Sequence, residues 1–443
     1  MASDWQRLLS TVRLGAPPED QAPARSPFQR DHDRILFSSP FRRLADKTQV
    51  FPLPYDDHVH SRLTHSLEVA SIGRSLGTLV GGRVLARESS LTRALDARDF
   101  GDCVAAACLA HDLGNPPFGH VGEDAIREYF ERERPFWDRL TERQRLDLTT
   151  FEGNAQTFRI VTRTERPSRS GGLQLTLATL GALVKYPCSS RVASKTSTHK
   201  SARKPGLFDD DVAVYAPIAE QLGLARQGYD HWQRHPLALL MEAADDIAYL
   251  LLDLEDGLRL KHVSEAVFLE CLRPLCEHDD RCPDLTPDHG DYASRLDRAD
   301  LLRAIAINTL VHDAADAFMG AHDEILASRF ATSLEQIMQH RAAMGAIQNV
   351  CLERCYRARD VLKMELSGAE AIQGLLAIFI GALSDRDSLR GSHMQRLYPR
   401  QFQPDEPYQQ LLRLTDHISG MTDHYAVRLY RELRGMRYPG GRD

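Results

Sequence analysis

The sequence predicts an all-α fold, and two observations carry this prediction. Apolar residues recur at helical spacing along most of the 443 residues, whereas the apolar–polar alternation typical of strands is scarce. The pattern is clearest between about residues 60 and 76, where one helix face carries His65, Val69, Ile72 and Leu76. That face is apolar and yet includes a histidine.

Two further helices are expected at segments that contain charged residues among apolar ones. The sequence CVAAACLAHDLG predicts a helix that ends near Gly114, because Pro116 and Pro117 follow. The sequence MEAADDIAYLLLDLEDGL predicts a long helix from Met241 onward. Amphipathic helices are expected again in the C-terminal half of the chain.

Composition changes along the chain suggest how it is organised. Residues 16–27 are rich in Pro and Ala, and from Phe28 onward the sequence becomes dense and apolar. The predicted division is a flexible N-terminal segment over 1–27, a single all-α unit over 28–443, and within it a helical-bundle core over about 60–260 and additional C-terminal helices over about 261–443.

Composition and charge exclude several classes of protein. The 42% hydrophobic and 26% charged residues are typical of a soluble globular protein, and the net charge of −7 argues against a nucleic-acid-binding protein that is basic throughout. The first fifteen residues lack an apolar stretch of signal-peptide length, and no window approaches the roughly 18–20 uninterrupted apolar residues of a membrane span. We therefore expect a cytoplasmic protein without a membrane partner.

The eight cysteines are expected to be reduced, unpaired thiols. A zinc site at Cys271, Cys276, His278 and Cys282 is the alternative, but this spacing lacks the paired C-x-x-C motifs of structural zinc sites.

One basic segment interrupts the helical pattern. Residues 188–204 (CSSRVASKTSTHKSARK) contain five Lys or Arg and no acid, which predicts a solvated, flexible loop. Clustered cations can follow a phosphate backbone even in an acidic protein, so single-stranded DNA is a candidate partner of this loop. Ordinary solvated surface is the alternative.

Four separated side chains suggest a metal site when they are taken together. Individually, they have ordinary explanations as a core histidine, a helix-end pair and a solvated helix face. Polar rings and carboxylates among apolar neighbours are nevertheless costly to bury without partners. Two imidazoles and two carboxylates suit a divalent ion such as Mn²⁺, Mg²⁺, Fe²⁺ or Ni²⁺, with open positions for water and a phosphate oxygen. The four residues are His65 in RLTHSLEV, His111 and Asp112 in LAHDLGN, and Asp245 in EAADDIAY.

The order H…HD…D resembles the HD superfamily of metal-dependent phosphohydrolases. The flanking sequence resembles, more narrowly, the deoxyguanosine triphosphate triphosphohydrolase-like family, the bacterial relatives of SAMHD-type dNTPases. The resemblance implies an HD-domain helical bundle that hydrolyses deoxynucleoside triphosphates (dNTPs) to deoxynucleoside and inorganic triphosphate. The matching stretches are FRRLADKTQVFP (41–52), RLTHSLEV (62–69), AHDLGNPPFGHVGE (110–123), FEGNAQTFR (151–159), LVKYP (183–187), EAADDIAYLLLDLEDG (242–257) and SGMTDHYAVRLY (419–430).

The resemblance also assigns a metal-ligand set. The implied ligands are His65, His111, Asp112 and Asp245. Asp246 competes with Asp245 for the fourth position. Asp245 is preferred because Tyr249 and Asp253 fall on its own helix face at i+4 and i+8.

Proton transfer is assigned to a His–Glu pair. In the family, water attacks the α-phosphorus and the bond to the 5′ oxygen breaks. His120 lies beyond a Pro-Pro turn and Glu123 follows three residues later, a pair that resembles the family's catalytic dyad. The alternative is an ordinary loop histidine near a helix start, and whether His120 acts as base, acid or both stays open.

Substrate binding needs cations for the phosphates and polar groups for the sugar. Arg62, one helical turn before the first ligand, and Lys185 are the phosphate candidates. Gln49, Tyr249 and Asp253 resemble the residues around the deoxyribose in this family. A tyrosine ring packed against C2′ would exclude ribonucleotides sterically.

The sequence departs from some relatives at Asn115, where the mammalian branch has a histidine, which puts any mechanism that needs that histidine in doubt. Family resemblance further implies a hexamer or tetramer and a nucleotide activator at a subunit interface. Two alternatives remain: a phosphomonoesterase or phosphodiesterase with the same HD site, and a nucleic-acid-binding regulatory protein with a vestigial site.

Overall fold

The computed structural model confirms the all-α prediction. Apart from helices, turns and isolated bridges, the described part of the chain contains one antiparallel pair of short strands, β1 (Arg226–Gly228) and β2 (His231–Trp232). The residues described are 4–17, 25–51, 59–286, 292–403 and 406–436.

The first part of the chain is built around α4, α5 and α11. Helix α4 begins at Arg62 because Ser61 and Thr64 form a capping box, in which each side chain accepts the backbone N–H of the other. The helices are α1 (Asp4–Leu8), α2 (Pro27–Leu36), α3 (Ser39–Arg43), α4 (Arg62–Arg87), α5 (Ala97–Ala110), α6 (Gly119–Glu133), α7 (Glu142–Thr149), α8 (Gly153–Arg159), α9 (Leu177–Leu183), α10 (Asp209–Leu222) and α11 (Pro236–Arg259). The expected helix from Met241 therefore begins earlier, at Pro236.

Helices α4 and α5 cross in backbone contact. A Cβ atom on Gly77 would lie 2.9 Å from Cα of Gly101, and a Cβ on Gly101 would lie 2.1 Å from Oγ1 of Thr78. Glycine at both positions is what permits this approach. The crossing fixes the separation between His65, in the first turn of α4, and His111, directly after α5.

The C-terminal helices divide between two hydrophobic clusters. Helices α12 to α15 join the main core formed by α4, α5 and α11, whereas α16 to α20 pack with α6 and α7 in a second cluster. The helices are α12 (Glu265–Cys276), α13 (Tyr292–Gly320), α14 (His322–Leu326), α15 (Arg341–Cys351), α16 (Arg359–Ser384), α17 (Leu389–Leu397), α18 (Pro399–Phe402), α19 (Pro407–Ser419) and α20 (Asp423–Leu433).

The N-terminal segment differs from the flexible stretch expected over 1–27. Trp5 is fully buried and its indole N–H donates to Nε2 of His322 at 3.2 Å. Arg13 is buried and forms an ion pair with Asp31 at 2.5 Å. Residues 4–17 are therefore packed on the core, because apolar residues at the start of the chain find partners on distant helices. Residues 18–24 of the predicted segment lie outside the described residues.

Helix α16 is long and apolar enough to cross a membrane by length and composition, although the sequence prediction did not single it out. More than half of its apolar window is buried within the protein, and Ile372, Leu375 and Phe379 are completely inaccessible to solvent. Such burial is typical of a core helix.

The cysteine prediction is confirmed, since all eight are free thiols.

Lys47 joins the two clusters and yields a stability prediction. Its buried Nζ donates to the carbonyl oxygens of Asn115 at 2.5 Å and Ser419 at 2.7 Å. Burial lowers the pKa of Lys47 from 10.5 to about 7, opposed by the charge of Asp423. The folded state therefore binds fewer protons than the unfolded state between these values, so this residue makes the free energy of unfolding rise with pH across that window.

We expect Lys47→Met to lower the free energy of unfolding by about 1–3 kcal/mol, because two buried carbonyl groups lose their donor. The difference from the unmodified protein should grow between pH values of about 7 and 9. Urea denaturation at several pH values measures both effects. Lys363→Met, at a side chain that is 63% exposed, is the control. Equal pH dependence in the two variants would contradict the prediction.

Candidate metal centre and active site

A cavity of about 450 Å³ opens where α4, the segment between α5 and α6, α11 and α16 meet. Its walls contain most of the residues that the sequence singled out. These are Gln49, Arg62, His65, His111, Asp112, His120, Lys185, Asp245, Asp246 and Tyr249.

Two imidazoles and a carboxylate converge on one side of the cavity. Oδ1 of Asp245 lies 3.2 Å from Nε2 of His65 and 3.4 Å from Nε2 of His111. Oδ1 of Asp112 lies 3.4 Å from the same nitrogen of His111. The three potential donor atoms of His65, His111 and Asp245 all lie within 4.8 Å of one another, which is close enough to share one ion.

Contacts behind these residues fix their orientation. Nδ1 of His111 lies 2.6 Å from the carbonyl oxygen of Cys108, a geometry that suits donation from Nδ1–H and leaves Nε2 free to act as a ligand. Asp112 accepts from Nη1 of Arg62 at 2.8 Å and from Nδ2 of Asn115 at 2.5 Å. Asn115 thus supports a candidate ligand at the position where the mammalian branch has a histidine.

The charge balance of this cluster suits a cation. Burial opposes ionisation of Asp245, but His111 and His65 hold its pKa well below the usual range. Burial is similarly outweighed at Asp112, where Arg62 and His111 lower the pKa to about 2. The two carboxylates in turn raise the pKa of His111 to about 9 against its burial. Positive charge is therefore stabilised between the donor atoms, which fits the binding of a divalent ion.

The predicted His–Glu pair is formed at the cavity edge. Nδ1 of His120 lies 3.1 Å from Oε2 of Glu123, and the His120 side chain is 77% exposed whereas that of Glu123 is buried. The chain reaches this position through a left-handed turn at Phe118 (φ 62°) and Gly119 (φ 57°). A Cβ on Gly119 would lie 2.3 Å from Nη2 of Arg62, so a larger residue there would be strained and would displace this guanidinium.

The expected substrate residues are only partly brought together. Gln49 and Tyr249 line the cavity, and Nζ of Lys185 lies 3.6 Å from Oδ2 of Asp245. Asp253 is buried and does not line it; its carboxylate accepts instead from the hydroxyl of Tyr356 at 2.7 Å. The Asp253 carboxylate is therefore engaged by Tyr356, which itself lines the cavity.

Comparison with known proteins assigns the family. A model of the HD domain matches residues 62–148, and a model of the phosphohydrolase-associated domain matches residues 334–432. Proteins called deoxyguanosinetriphosphate triphosphohydrolase-like are similar over nearly full length. That of Synechocystis sp. is 40% identical over 98% of this chain and 99% of its own, and that of Pseudomonas aeruginosa is 40% identical over 98% and 100%. The chain belongs to the deoxyguanosinetriphosphate triphosphohydrolase-like family.

A relative in Listeria monocytogenes with the same description is 33% identical over 98% of the chain and 99% of its own length. Membership of this family and the HD domain together support a phosphohydrolase of the HD superfamily. The HD domain is the fold of metal-dependent phosphohydrolases. The HD match contains His65, His111, Asp112 and the His–Glu pair, whereas Asp245 lies outside it on α11.

The basic segment of this family member differs from the expected solvated loop. Residues 188–190 are buried, and two of its five cations point inward. Nζ of Lys200 lies 3.2 Å from Oε1 of Glu242, and Nζ of Lys204 lies 3.0 Å from Oε1 of Glu152. Attraction by buried carboxylates draws this loop onto the protein, and Lys204 becomes part of the cavity wall.

Several cavity residues were not found from the sequence. Tyr356 lies at the end of a π-helical turn, a feature that is frequent at functional sites but cannot be read from spacing alone. Phe118, Asn154 and Lys204 lie in segments that the sequence analysis singled out, but nothing in those segments marked these particular residues. Among the residues missed are Phe118, Asn154, Lys204, Tyr356, Val361, Met364 and Glu365.

The geometry favours Asp245 over Asp246 as the carboxylate that faces the histidines. Asp246 also lines the cavity, but its buried Oδ2 has no hydrogen-bond partner. Burial, with the nearby charge of Glu242, raises the pKa of Asp246 to about 7 despite the opposing charge of Lys185.

We expect Asp245→Asn to weaken Mn²⁺ binding by about 100-fold or more, beyond the loss typical of an outer-shell contact. Asp246→Asn, its neighbour on the same helix, should bind nearly as the unmodified protein does. Isothermal titration calorimetry of the full-length protein with Mn²⁺ measures both. Strong loss in Asp246→Asn with retention in Asp245→Asn would reverse the assignment.

Proposed function

We propose that this family member hydrolyses dNTPs, including dGTP, to deoxynucleoside and inorganic triphosphate with Mn²⁺ or Mg²⁺ as cofactor. The observation that carries the proposal is the presence in one cavity of a convergent His/Asp cluster and a separate His–Glu pair. The name shared by the similar proteins of this family supports the same substrate class.

His65, His111, Asp112 and Asp245 are the residues that would hold the ion. When bound there, a divalent ion supplies positive charge that polarises a phosphoryl oxygen. Lys185 and Arg62 add fixed positive charge beside the cluster, where the phosphates would lie.

His120 is assigned the proton transfer. Water adds to the α-phosphorus, the bond from that phosphorus to O5′ breaks, and O5′ leaves with a proton while triphosphate is formed. With Nδ1 directed at Glu123, His120 presents Nε2 for accepting a proton from water or giving one to O5′. The Glu123 carboxylate holds the ring in this orientation in either case.

Tyr249 and Gln49 are assigned to the sugar. Tyr249 stacks on Tyr356 with ring centroids 5.8 Å apart, which supports the ring where it borders the cavity. The buried Oε1 of Gln49 has no hydrogen-bond partner, so it is available to accept from a 3′ hydroxyl. Asp253 would act on that hydroxyl only by way of Tyr356, because the Tyr356 hydroxyl donates to its carboxylate.

Assembly and regulation stay predictions from family resemblance: a hexamer or tetramer, and a nucleotide activator. Location in the cytoplasm stays a prediction from the sequence. Single-stranded DNA binding by residues 188–204 also stays a prediction. The inward contacts of Lys200 and Lys204 leave fewer of its cations for a nucleic-acid backbone.

We expect each dNTP that is turned over to yield deoxynucleoside and triphosphate in the presence of Mn²⁺ or Mg²⁺. His111→Ala and Asp112→Ala should reduce the rate by at least about 100-fold, because ligands of the polarising ion are lost. Ion-pair chromatography resolves the products. Orthophosphate or pyrophosphate release would instead indicate another HD phosphohydrolase. No turnover of dNTPs, singly or in mixtures, would favour a binding protein with a vestigial site.

We expect Tyr249→Leu to reduce the preference for dGTP over GTP by roughly tenfold or more, because space opens for the 2′ hydroxyl. The ratio of the two kcat/KM values measures the change. Tyr229→Leu, at a residue that is 55% exposed and outside the cavity, is the control. An unchanged ratio in Tyr249→Leu would remove this residue from sugar selection.

A further inference from the structure

A second buried carboxylate lies behind the His–Glu pair. Glu152 is 3% exposed, and Nη2 of Arg127 lies 3.1 Å from its Oε2. The same nitrogen donates to Oε2 of Glu123 at 3.0 Å, the oxygen that faces His120. One guanidinium nitrogen therefore joins the candidate dyad to a carboxylate that the proposed mechanism does not use.

The ion pairs around Glu152 also reach the cavity wall, through Lys204 of the basic segment. Oε1 of Glu152 accepts from Nζ of Lys204 at 3.0 Å and from Nδ2 of Asn154 at 2.9 Å. Lys204 and Asn154 both line the cavity. The connection thus runs from the cavity wall through Lys204, Glu152 and Arg127 to the dyad.

The charges and contacts of this network restrict the orientation of the Arg127 guanidinium. Two buried carboxylates repel each other unless cations lie between them, and Arg127 and Lys204 are those cations. The guanidinium is further fixed by the carbonyl oxygen of Phe151, which accepts from Nε at 2.7 Å. A planar group held at several points has one orientation, so it presents Nη2 to Glu123 at a defined angle.

The other oxygen of Glu123 is also held. Its Oε1 accepts from the backbone N–H of Gly153 at 2.6 Å, directly after Glu152 in the chain. Burial opposes ionisation of Glu123, but the hydrogen bond and charge of His120, with Lys204 and Arg127, keep its pKa below the usual value. The exposed His120 ring depends on this fixed, anionic partner for its orientation.

We propose that Arg127 and Glu152 are positioning residues, linked to the cavity by Lys204, that hold Glu123 so that His120 carries its proton on Nδ1 and presents Nε2 to the substrate. The proposal rests on the dyad named under the proposed function. A purely structural ion network would instead stabilise the contact of α6 with α8 and leave the histidine unaffected.

The test compares Glu152→Gln with Asp124→Asn in the full-length protein. Asp124 contacts Nη1 of the same arginine at 2.6 Å, whereas Glu152 contacts Nη2, and the Asp124 side chain is 64% exposed. We expect Glu152→Gln to lower kcat by roughly tenfold or more with little change in KM, since general acid–base catalysis contributes about 100-fold or more. Glu152→Asp should recover part of kcat, and Asp124→Asn should match the unmodified protein.

A second measurement does not depend on turnover. Nitrogen NMR of ¹⁵N-histidine-labelled protein, at a pH where imidazole is neutral, reports which ring nitrogen carries the proton; His120→Gln identifies the signal. We expect the Nδ1–H form of His120 in the unmodified protein and in Asp124→Asn, and a mixture of forms in Glu152→Gln. Thermal unfolding of each variant separates loss of orientation from loss of fold.

The outcomes distinguish this inference from the proposed function. Unchanged kcat and an unchanged His120 signal in Glu152→Gln would overturn the inference. The same holds if kcat falls only in proportion to the folded fraction. If His120→Gln retains full turnover, the dyad itself is wrong. If no dNTP is hydrolysed but the His120 signal changes as expected in Glu152→Gln, the positioning role stands and the proposed reaction fails.

Discussion

Buried negative charge is the constraint on which the rest of the cavity depends. Asp245 lies between two imidazoles at the meeting point of three helices, and a carboxylate removed from water costs several kcal/mol unless it is paired. Asp112, beside it, depends in the same way on Arg62. The cluster therefore needs positive charge to be stable. Despite its burial, the two carboxylates raise the pKa of His111 to about 9, so its imidazolium form supplies part of this charge, and a divalent ion bound there would supply more.

Buried negative charge also determines the side-chain contacts around Glu242. Glu242 is buried beside Asp245, and Arg234, Lys185 and Lys200 surround it; burial opposes its ionisation, but these cations lower its pKa to about 2. Lys185 consequently lies between two carboxylates rather than free in solvent, and its ammonium group is held beside the proposed phosphate position. Lys200 ties the basic loop to this point. A loop whose composition suggests solvated surface is thus held in place by charges that lie elsewhere in the sequence.

Local sequence patterns and family motifs predicted the helices that carry the site and the candidate ligands on them. The helices around His65 and His111 follow from apolar spacing and turn residues, and the choice of Asp245 agrees with the geometry. The packing of residues 4–17 was not foreseen from the sequence, because Trp5 is buried by a partner more than 300 residues away. The contact of Glu152 with Lys204 was missed for a similar reason: it joins residues on separate segments, and neither has an unusual spacing. Asp253 lies on the helix face that the sequence predicted, but Tyr356 and not Asp253 lines the cavity. Spacing along a helix does not show which neighbouring side chain packs between that face and the cavity.

The C-terminal helices are part of the site and not an appendage to it. Phe118, in the left-handed turn before His120, packs so closely on α16 that a Cβ on Gly368 would lie 2.4 Å from its ring. The turn that precedes the dyad is therefore held by α16, which packs with α6 in the second hydrophobic cluster. Helix α16 also supplies Met364 and Glu365 to the cavity wall. Val361, at the start of this helix, packs in the main core whereas Ile372 packs in the second cluster, so α16 connects the wall of the cavity to both clusters.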